Sequence, residues 1–525
     1  MMLPAIEKNK STVVVNNDFS AGLWHRIPGK KQTFYDGVNT TATAYPAVAA
    51  RAPRRRWLNL SEGVQGMFCA DSLYLATDGE LLRAGGENLT HYLGSLNSSR
   101  KVFGALGEAL LILPDFKVLN IKTNQFSSKK VSLKLANVLI HNQDYVDTDG
   151  VARTYRRNTL HCVDYNFRDY FSVGDSIKLS GTASNDGYYT VRGVGEFDLH
   201  FDPESFIAED IPSCTISRQV PLLEGMCSCG NRLWGYAGDT IYACAPGLAD
   251  NWYRYDGDAQ SSYCITVSDK GPFTGCVMHA GRPVFFKTGS MVEIYGDSPQ
   301  NFTAVQTCLS GVARGSAASL CSVGGNMLYL SENGVISCSG SNAVVISEAL
   351  GRQLYSGIAT TDGRRYYLSA ATQNGERALY IYDTVTKAWH IEDDSEGIAY
   401  LGYLDSDVYA YCNNHSVNIL GENTTGHGKE YEQVSSYVDF DPLMDDQKGQ
   451  IVPVRIGVRI RCAAGSALTL WTSYDGGAWE QRAKITTEGE RIWYVPLQPR
   501  PCYSLSVRVE GMGEYRILSL IREYQ

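Results

Sequence analysis

The residues with the most obvious chemical potential in this chain are nine histidines and fourteen cysteines, and neither set is spaced for catalysis or metal binding. His25, His91, His141, His161, His200, His279, His390, His415 and His427 stand apart, with no pair at a metal-ligand spacing. His161 and Cys162 are adjacent, so on a strand they point to opposite faces. Cys227 and Cys229 share a strand face, which suits packing better than tetrahedral ligation, and no CxxC pair exists. Cys69, Cys244, Cys264, Cys276, Cys321, Cys338, Cys412 and Cys462 fall singly in strand-like segments, where a thiol serves as a small hydrophobe. This usage implies synthesis in a reducing compartment, with every thiol free. Nucleophile-elbow, P-loop and HExxH motifs are missing. No catalytic residue, cofactor or metal is expected, and the chain does not read as an enzyme.

Three acidic or turn-forming segments need separate weighing. Asp144-Tyr-Val-Asp147-Thr-Asp149-Gly150 has the acidity of a calcium loop but lacks the closing Glu, so it reads as a solvated turn. Asp393-Asp394-Ser395-Glu396 reads as an exposed loop rather than a carboxylate pair for glycoside chemistry. Ser473-Tyr-Asp475-Gly476-Gly477-Ala-Trp479 resembles the Asp-box of sialidases, with Trp479 one residue early. It occurs once and reads as a hairpin turn. Net charge is −9, and only Arg51-Ala-Pro53-Arg54-Arg55-Arg56 is locally basic, so phosphate-driven nucleic-acid binding is not indicated. That run reads as a solvated or interface strand. The N-terminus has no apolar core of a signal peptide, and no run is long enough to span a membrane.

The elements that would carry these residues are strands. A short apolar segment recurs: Leu73-Tyr-Leu75, Leu110-Leu-Ile-Leu113, Leu233-Trp-Gly-Tyr236, Val284-Phe-Phe286, Met327-Leu-Tyr-Leu330, Tyr366-Tyr-Leu368 and Val408-Tyr-Ala-Tyr411. Nearly every copy follows a Gly, Asp, Asn or Arg turn, and the spacing is roughly 37 to 50 residues with one gap of about 120. This is the period of a four-stranded propeller blade, with one inserted domain. Helical periodicity is scarce, and Ser316 to Leu320 is the best short candidate. The expected fold is all-β: a seven-bladed β-propeller with an inserted small β-barrel-like domain and a C-terminal β-sandwich. Residues 1–60 form an irregular arm in which Val13-Val-Val15 can make a strand. Residues 61–127 hold the first part of the propeller, 128–222 the insert, and 223–438 the second part. Residues 439–450 are polar and read as a linker, and 451–525 alternate as a sandwich does. Trp252 and Trp389 fall at similar repeat positions, where an outer strand covers its blade.

Three stretches together resemble virion proteins of tailed bacteriophages, in particular tail-nozzle and head-to-tail hub (stabilisation) propellers. The first is the opening: Phe19-Ser-Ala21-Gly22-Leu23, Asp36-Gly37-Val-Asn39, Tyr45-Pro46 and Arg51-Ala-Pro53-Arg54, with Ala21 where that arm often has Gly. The second is Gly174-Asp175-Ser-Ile-Lys-Leu-Ser-Gly181 with Asn185-Asp186-Gly187-Tyr-Tyr-Thr-Val191, similar to a small β-domain of phage structural proteins. The third is Tyr503-Ser-Leu-Ser-Val-Arg-Val-Glu-Gly511-Met-Gly513-Glu-Tyr515-Arg-Ile517, similar to a terminal tail sandwich. The resemblance implies a structural protein made in the host cytoplasm and placed in the virion tail. It implies a ring, of six copies, that extends or closes the DNA channel, with other tail or connector proteins as neighbours. Viral DNA would pass the acidic lumen without specific binding. Assembly is expected to run through the arm, with Phe19, Leu23, Tyr45, Arg51, Arg54, Arg55 and Arg56 at the interface. The alternative is a tail-tip adhesin presenting Trp471, Trp479 and Trp493 to a host glycan.

Overall fold

Short runs of alternating polarity between turn residues favour antiparallel sheet, and the computed structural model is all-β. It describes residues 11–27, 29–128, 131–142, 145–146, 152–153, 158–201, 206–218, 221–420, 434–445, 447 and 449–525. The acidic residues of the 144–150 segment and His427 lie outside these. The chain divides into two compact units, residues 64–311 and residues 1–63 with 312–525.

The unit 64–311 holds four antiparallel sheets of four strands, each a simple meander. They begin at Gly66–Cys69, Val102–Leu106, Gly225–Cys229 and Gly275–His279. Successive sheets share apolar clusters. Leu110 and Ile112 pack with Tyr74, while Leu111 and Leu113 on the opposite face pack with Leu233. Trp234 packs with Phe285 in the same way. Between the second and third sheets the chain forms a closed six-stranded barrel, from Ser132–His141 to Glu209–Arg218, with its own core around Leu135, Phe167, Ile177 and Val191.

The other unit holds three more meanders, the second of which Gly22–Leu23 and Thr33–Phe34 extend to a six-stranded sheet. They begin at Cys321–Val323, Leu354–Thr361 and Ile398–Leu404. All seven recurring apolar segments are second strands, each in a different sheet. The turns before four of them have two successive residues at positive φ: Gly230 and Asn231, Ala280 and Gly281, Gly324 and Gly325, Asp405 and Ser406. That backbone matches the right-handed strand twist of a two-residue hairpin, which explains the recurring Gly and Asn. The candidate helix is a single 3-10 turn, Ala317–Ser319.

The third meander has only three strands of its own. Its fourth is Arg55–Asn59, which pairs with Ser416–Leu420, so the arm completes the last sheet. Two larger sheets finish the unit. One contains Gly489–Pro496, Pro453–Cys462 and Tyr515–Tyr524, and recruits Thr12–Asn16, Val48–Ala50 and Thr40–Thr41 from the arm. The other contains Ser435–Leu443, Leu505–Met512, Ala467–Tyr474 and Glu480–Thr486, and recruits Asp36–Val38. Their inward residues, including Val438, Ile456, Val458, Leu470, Val507 and Leu520, form one core. The expected linker at 439–450 therefore begins inside a strand: Phe440 and Leu443 are buried, and that burial outweighs the polar residues between them. Trp389 does open the fourth strand of its sheet. Trp252 instead lies in the long connection before a fourth strand, buried with its indole N–H donated to Ala249 O at 2.7 Å.

Candidate functional site: the arm and its acidic clamp

The arm is extended because Gly, Pro and Asn interrupt it, and its few large apolar residues are swallowed by its own unit. Phe19 is fully buried, its ring 5.4 Å from that of Phe440, and its N–H donates to Pro46 O at 2.9 Å. Leu23 and Phe34 join the same core. Gly22 runs parallel to the start of Trp389–Asp393, and a Cβ there would lie 2.7 Å from Trp389 O. Only glycine allows that approach, which accounts for its place between Ala21 and Leu23.

Further along, Asn39 acts as a hub. Its Nδ2 donates to Ser435 O at 2.8 Å, and its Oδ1 accepts from Arg51 Nε at 2.8 Å and Asp393 N at 3.0 Å. Arg51 is buried, and its other guanidinium nitrogens donate to Ala52 O at 3.0 Å and Asp393 Oδ1 at 2.9 Å. Arg54, also buried, donates to Glu392 Oε2 at 3.2 Å and Asp393 O at 2.5 Å. Arg56 pairs with Glu396, which also accepts from Asn418 Nδ2 at 2.6 Å. Asp394 accepts from Ser369 Oγ at 2.8 Å and Ile398 N at 2.6 Å. The acidic segment read as an exposed loop is thus the receptor for the arm's arginines. Glu392 and Asp394 are buried because each has a fixed partner.

The electrostatics agree with the geometry. Burial pushes the Asp393 carboxyl up, but Arg54 and Arg51 override it and hold the group at about 2. Burial opposes the charge on Arg54, yet Glu392 and Asp393 more than offset it and raise its pKa. Of the seven residues nominated for assembly, Phe19, Leu23, Arg51 and Arg54 are engaged inside their own chain. Arg55 is half-buried, and its Nε has no hydrogen-bond partner among the described residues. Tyr45, 66% exposed, and Arg56 face outward. Glu392 was not singled out by sequence, and Asn39 only as part of the Asp36-Gly37-Val-Asn39 stretch, where an Asn suits the left-handed turn it takes (φ 58).

Beside the clamp, a cavity of 540 Å³ is lined by Thr41, Ala49, Arg51 and Pro53 of the arm and by Gly513 and Tyr515, where the chain crosses between the two terminal sheets. Its walls are mostly small side chains, and the one buried charge on them, Arg51, already has its partners.

A second polar fastener holds the barrel. Asp175 and Arg218, both buried, pair at 2.7 Å, and the guanidinium stacks 4.3 Å over the Tyr253 ring. Ser176 N donates to Tyr253 O at 2.7 Å. The insert is therefore docked on the 252–256 connection of the sheet that follows it. The Gly174-Asp175 motif has this docking role.

The Ser473–Trp479 segment is the expected hairpin turn: Ser473 Oγ donates to Gly477 O at 2.7 Å, and Asp475 Oδ1 accepts from Tyr503 N and Ser504 N. The three tryptophans considered for sugar stacking are half-buried and engaged. Trp471 donates to Glu510 at 2.9 Å, Arg508 stacks 4.5 Å over Trp479, and Trp493 packs on the core. Among the described residues, no group of three or more His, Cys, Asp or Glu side chains is placed to hold a metal ion. Among them, too, no helix is long and apolar enough to cross a membrane.

No family model matches the chain, and no curated protein matches it. Solved structures with some similarity include BamB from Moraxella catarrhalis, at 12% identity and TM-score 0.36, over 73% of this chain and 100% of that one. An exo-β-1,3-galactanase from Phanerochaete chrysosporium aligns at 10% identity and TM-score 0.22, over 57% of this chain and 95% of that one. A sialidase from Trypanosoma rangeli aligns at 10% identity and TM-score 0.22, over 75% and 96%. At such scores the similarity assigns neither topology nor chemistry to the chain.

Proposed function

We propose that this protein is a non-enzymatic structural component of a tailed-phage virion: a seven-bladed propeller with an inserted barrel and a terminal sandwich. It assembles as a ring, six copies in the reading taken from the resemblance, that serves as tail nozzle or hub around the DNA path. The observation that carries the reading is the order of parts. Seven four-stranded meanders are interrupted once by a closed barrel and followed by two facing sheets, with an N-terminal arm threaded through the end of the chain. That is the order the three phage-like stretches imply, and each stretch has a structural task. Phe19-Ser-Ala-Gly22-Leu23 plugs the core, Gly174-Asp175 docks the barrel, and Gly511–Tyr515 carries the chain from one terminal sheet to the other.

An acidic chain of net charge −9 suits a channel wall that DNA must slide past. The test is native mass spectrometry and electron microscopy of the purified protein, followed by its location in purified virions. Closed rings with a pore in the tail are expected. A lone or trimeric fibre component would overturn the proposal in favour of the adhesin reading.

A further inference from the structure

Lys101 carries a buried side chain at the end of the connection that leads from the first sheet of the 64–311 unit into Val102–Leu106. A lysine is rarely buried unless it is paired. Here Nζ lies 2.6 Å from Asp115 Oδ2, 2.6 Å from Asn97 O and 2.6 Å from Asn97 Oδ1. The stem is held by the first sheet: a Cβ on Gly66 would lie 2.8 Å from Lys101 Cβ, and Lys101 N donates to Gln65 O at 2.9 Å. Asp115 lies in the turn between Ala109–Leu113 and Lys117–Asn120 and is buried too. Its Oδ1 accepts from Asn97 N at 2.8 Å. One carboxylate therefore grips both ends of the 97–101 connection and brings the Lys101 amine onto the Asn97 side chain.

The Asn97 carboxamide is oriented by its own loop. Oδ1 accepts from Ser99 N at 3.1 Å, from Ser99 Oγ and from Lys101 Nζ. A backbone N–H can only donate, so the oxygen of the amide, and not its nitrogen, faces Ser99 N. The two Ser99 donors polarise the carbonyl and are placed to hold negative charge that develops on its oxygen, as an oxyanion hole does. Asn97 is exposed, which gives its amide nitrogen an exit to solvent. An ion pair alone needs only Lys101 and Asp115. An amine, a polarised carboxamide and a carboxylate within hydrogen-bond reach of one another make up what an acyl substitution needs: nucleophile, electrophile and proton carrier.

We infer that Lys101 and Asn97 form a self-modifying site, at which an isopeptide bond closes between the two side chains with Asp115 as proton carrier. Asp115 first takes a proton from Nζ, which turns a buried ion pair into a neutral amine beside a carboxylic acid. The Nζ lone pair attacks Asn97 Cγ, and Ser99 N and Oγ hold the oxygen of the tetrahedral intermediate. The bond from Cγ to Nδ2 then breaks as Asp115 gives its proton to the leaving nitrogen and takes one from the new amide nitrogen. Ammonia departs with that last proton, as ammonium, and Asp115 returns to a carboxylate. One positive charge enters the step and one leaves it, and no co-reactant is needed. The product is a covalent loop over residues 97–101 that fixes the connection between two sheets and that unfolding does not open. The site lies within the 64–311 unit and is independent of the proposed ring.

The test is mass spectrometry of the full chain after folding, as intact mass under denaturing conditions and as a tryptic map with fragmentation. The wild-type chain should be lighter than its sequence by one ammonia. Asn97 and Lys101 should appear in one branched peptide, with cleavage after Lys101 lost. Lys101→Arg keeps the charge but not the amine, and Asn97→Ala removes the carboxamide from an exposed position. Each should show the full mass of its own sequence. Asp115→Asn, shown to be folded by circular dichroism, should remain unlinked as well. A wild-type chain at its full sequence mass overturns the inference. So does a chain that has lost ammonia but is still cut after Lys101, because that marks a succinimide at Asn97. Loss of ammonia that persists in Lys101→Arg overturns it in the same way, and a branched peptide in Asp115→Asn refutes the role given to that carboxylate.

Discussion

Deleting residues 1–56 tests whether the arm is an assembly device or part of the fold. From sequence, the truncated chain should keep its sheets and lose only its partners. The structure reverses that expectation. The deletion removes Phe19, Leu23, Phe34 and Val48, all buried in the core of the 312–525 unit. At about 1.5–3 kcal/mol for each fully buried side chain, the loss is about 6–12 kcal/mol. That is comparable to the whole stability of a domain, about 5–15 kcal/mol. The deletion also strips two residues from Arg55–Asn59, the fourth strand of the last four-stranded sheet, and leaves Glu392 and Asp393 without their arginines. The truncated chain should therefore express insoluble or give a disordered 312–525 unit. Phe19→Ala is the graded form: a buried Phe cut to Ala costs about 3–5 kcal/mol. Urea unfolding with hydrogen-exchange mass spectrometry reads both, and protection should fall first at residues 389–393 and 435–443. If the truncated protein unfolds at the wild-type midpoint with unchanged protection there, the arm is not structural and the argument fails.

Three further outcomes follow from the charged contacts. Asp393 is held at about 2 against an ordinary 3.8, so its contribution is complete above about pH 4 and disappears as pH falls towards 2. Allowing for its partial exposure, about 1 kcal/mol should go over that window. Acid titration of wild type against Asp393→Asn should show the difference, and parallel curves would refute it. Asp441 behaves in the opposite sense. Burial raises its carboxyl to about 6, only partly relieved by Arg522, which bonds its backbone carbonyl. Stability should fall as pH rises from about 4 to about 6, and Asp441→Asn should flatten that slope in thermal melts; a slope left unchanged counts against it. Arg218→Ala strands the buried Asp175 and should cost about 3–5 kcal/mol, with exchange protection lost at Ser176. Protection that persists there would mean the barrel is held by other contacts.

Much of the fold was legible because its signals are local. A two-residue hairpin needs residues that tolerate positive φ, and an inner strand needs an unbroken apolar run, so Gly230-Asn231 before Leu233-Trp-Gly-Tyr236 states both conditions within a few residues. The insert was legible for the same reason, since Ile177, Leu179 and Val191 alternate inward. What escaped sequence reading is non-local. Asp393-Asp394-Ser395-Glu396 looks solvated by composition, yet Arg51 and Arg56, more than 330 positions earlier in sequence, engage Asp393 and Glu396, while Ser369 holds Asp394. Residues 439–450 looked like a linker because Asp439 and Asp441 interrupt Phe440 and Leu443, although Ser435–Leu443 is a strand. Asp439 is accommodated by the two-pronged contact from Arg508 at 2.6 and 2.8 Å.

The same non-locality changes which surface is open to the proposed assembly. An arginine run and an arm poor in hydrophobic pattern call for acceptors, but the donor set is the same whether the acceptor belongs to this chain or to another. Here Arg51 and Arg54 find it at Glu392 and Asp393, and the cost of ordering the arm, about 1–2 kcal/mol per residue, is met within one chain. Arg51 and Arg54 are already bound within their own chain and are not available to a neighbour, because freeing Arg51 would strand buried carboxylates. What the arm offers a neighbour is the surface its folding leaves outward: Tyr45, Arg56, and the valines of Thr12–Asn16. In the proposed ring its influence is exerted through the fold, by completing the terminal sheet.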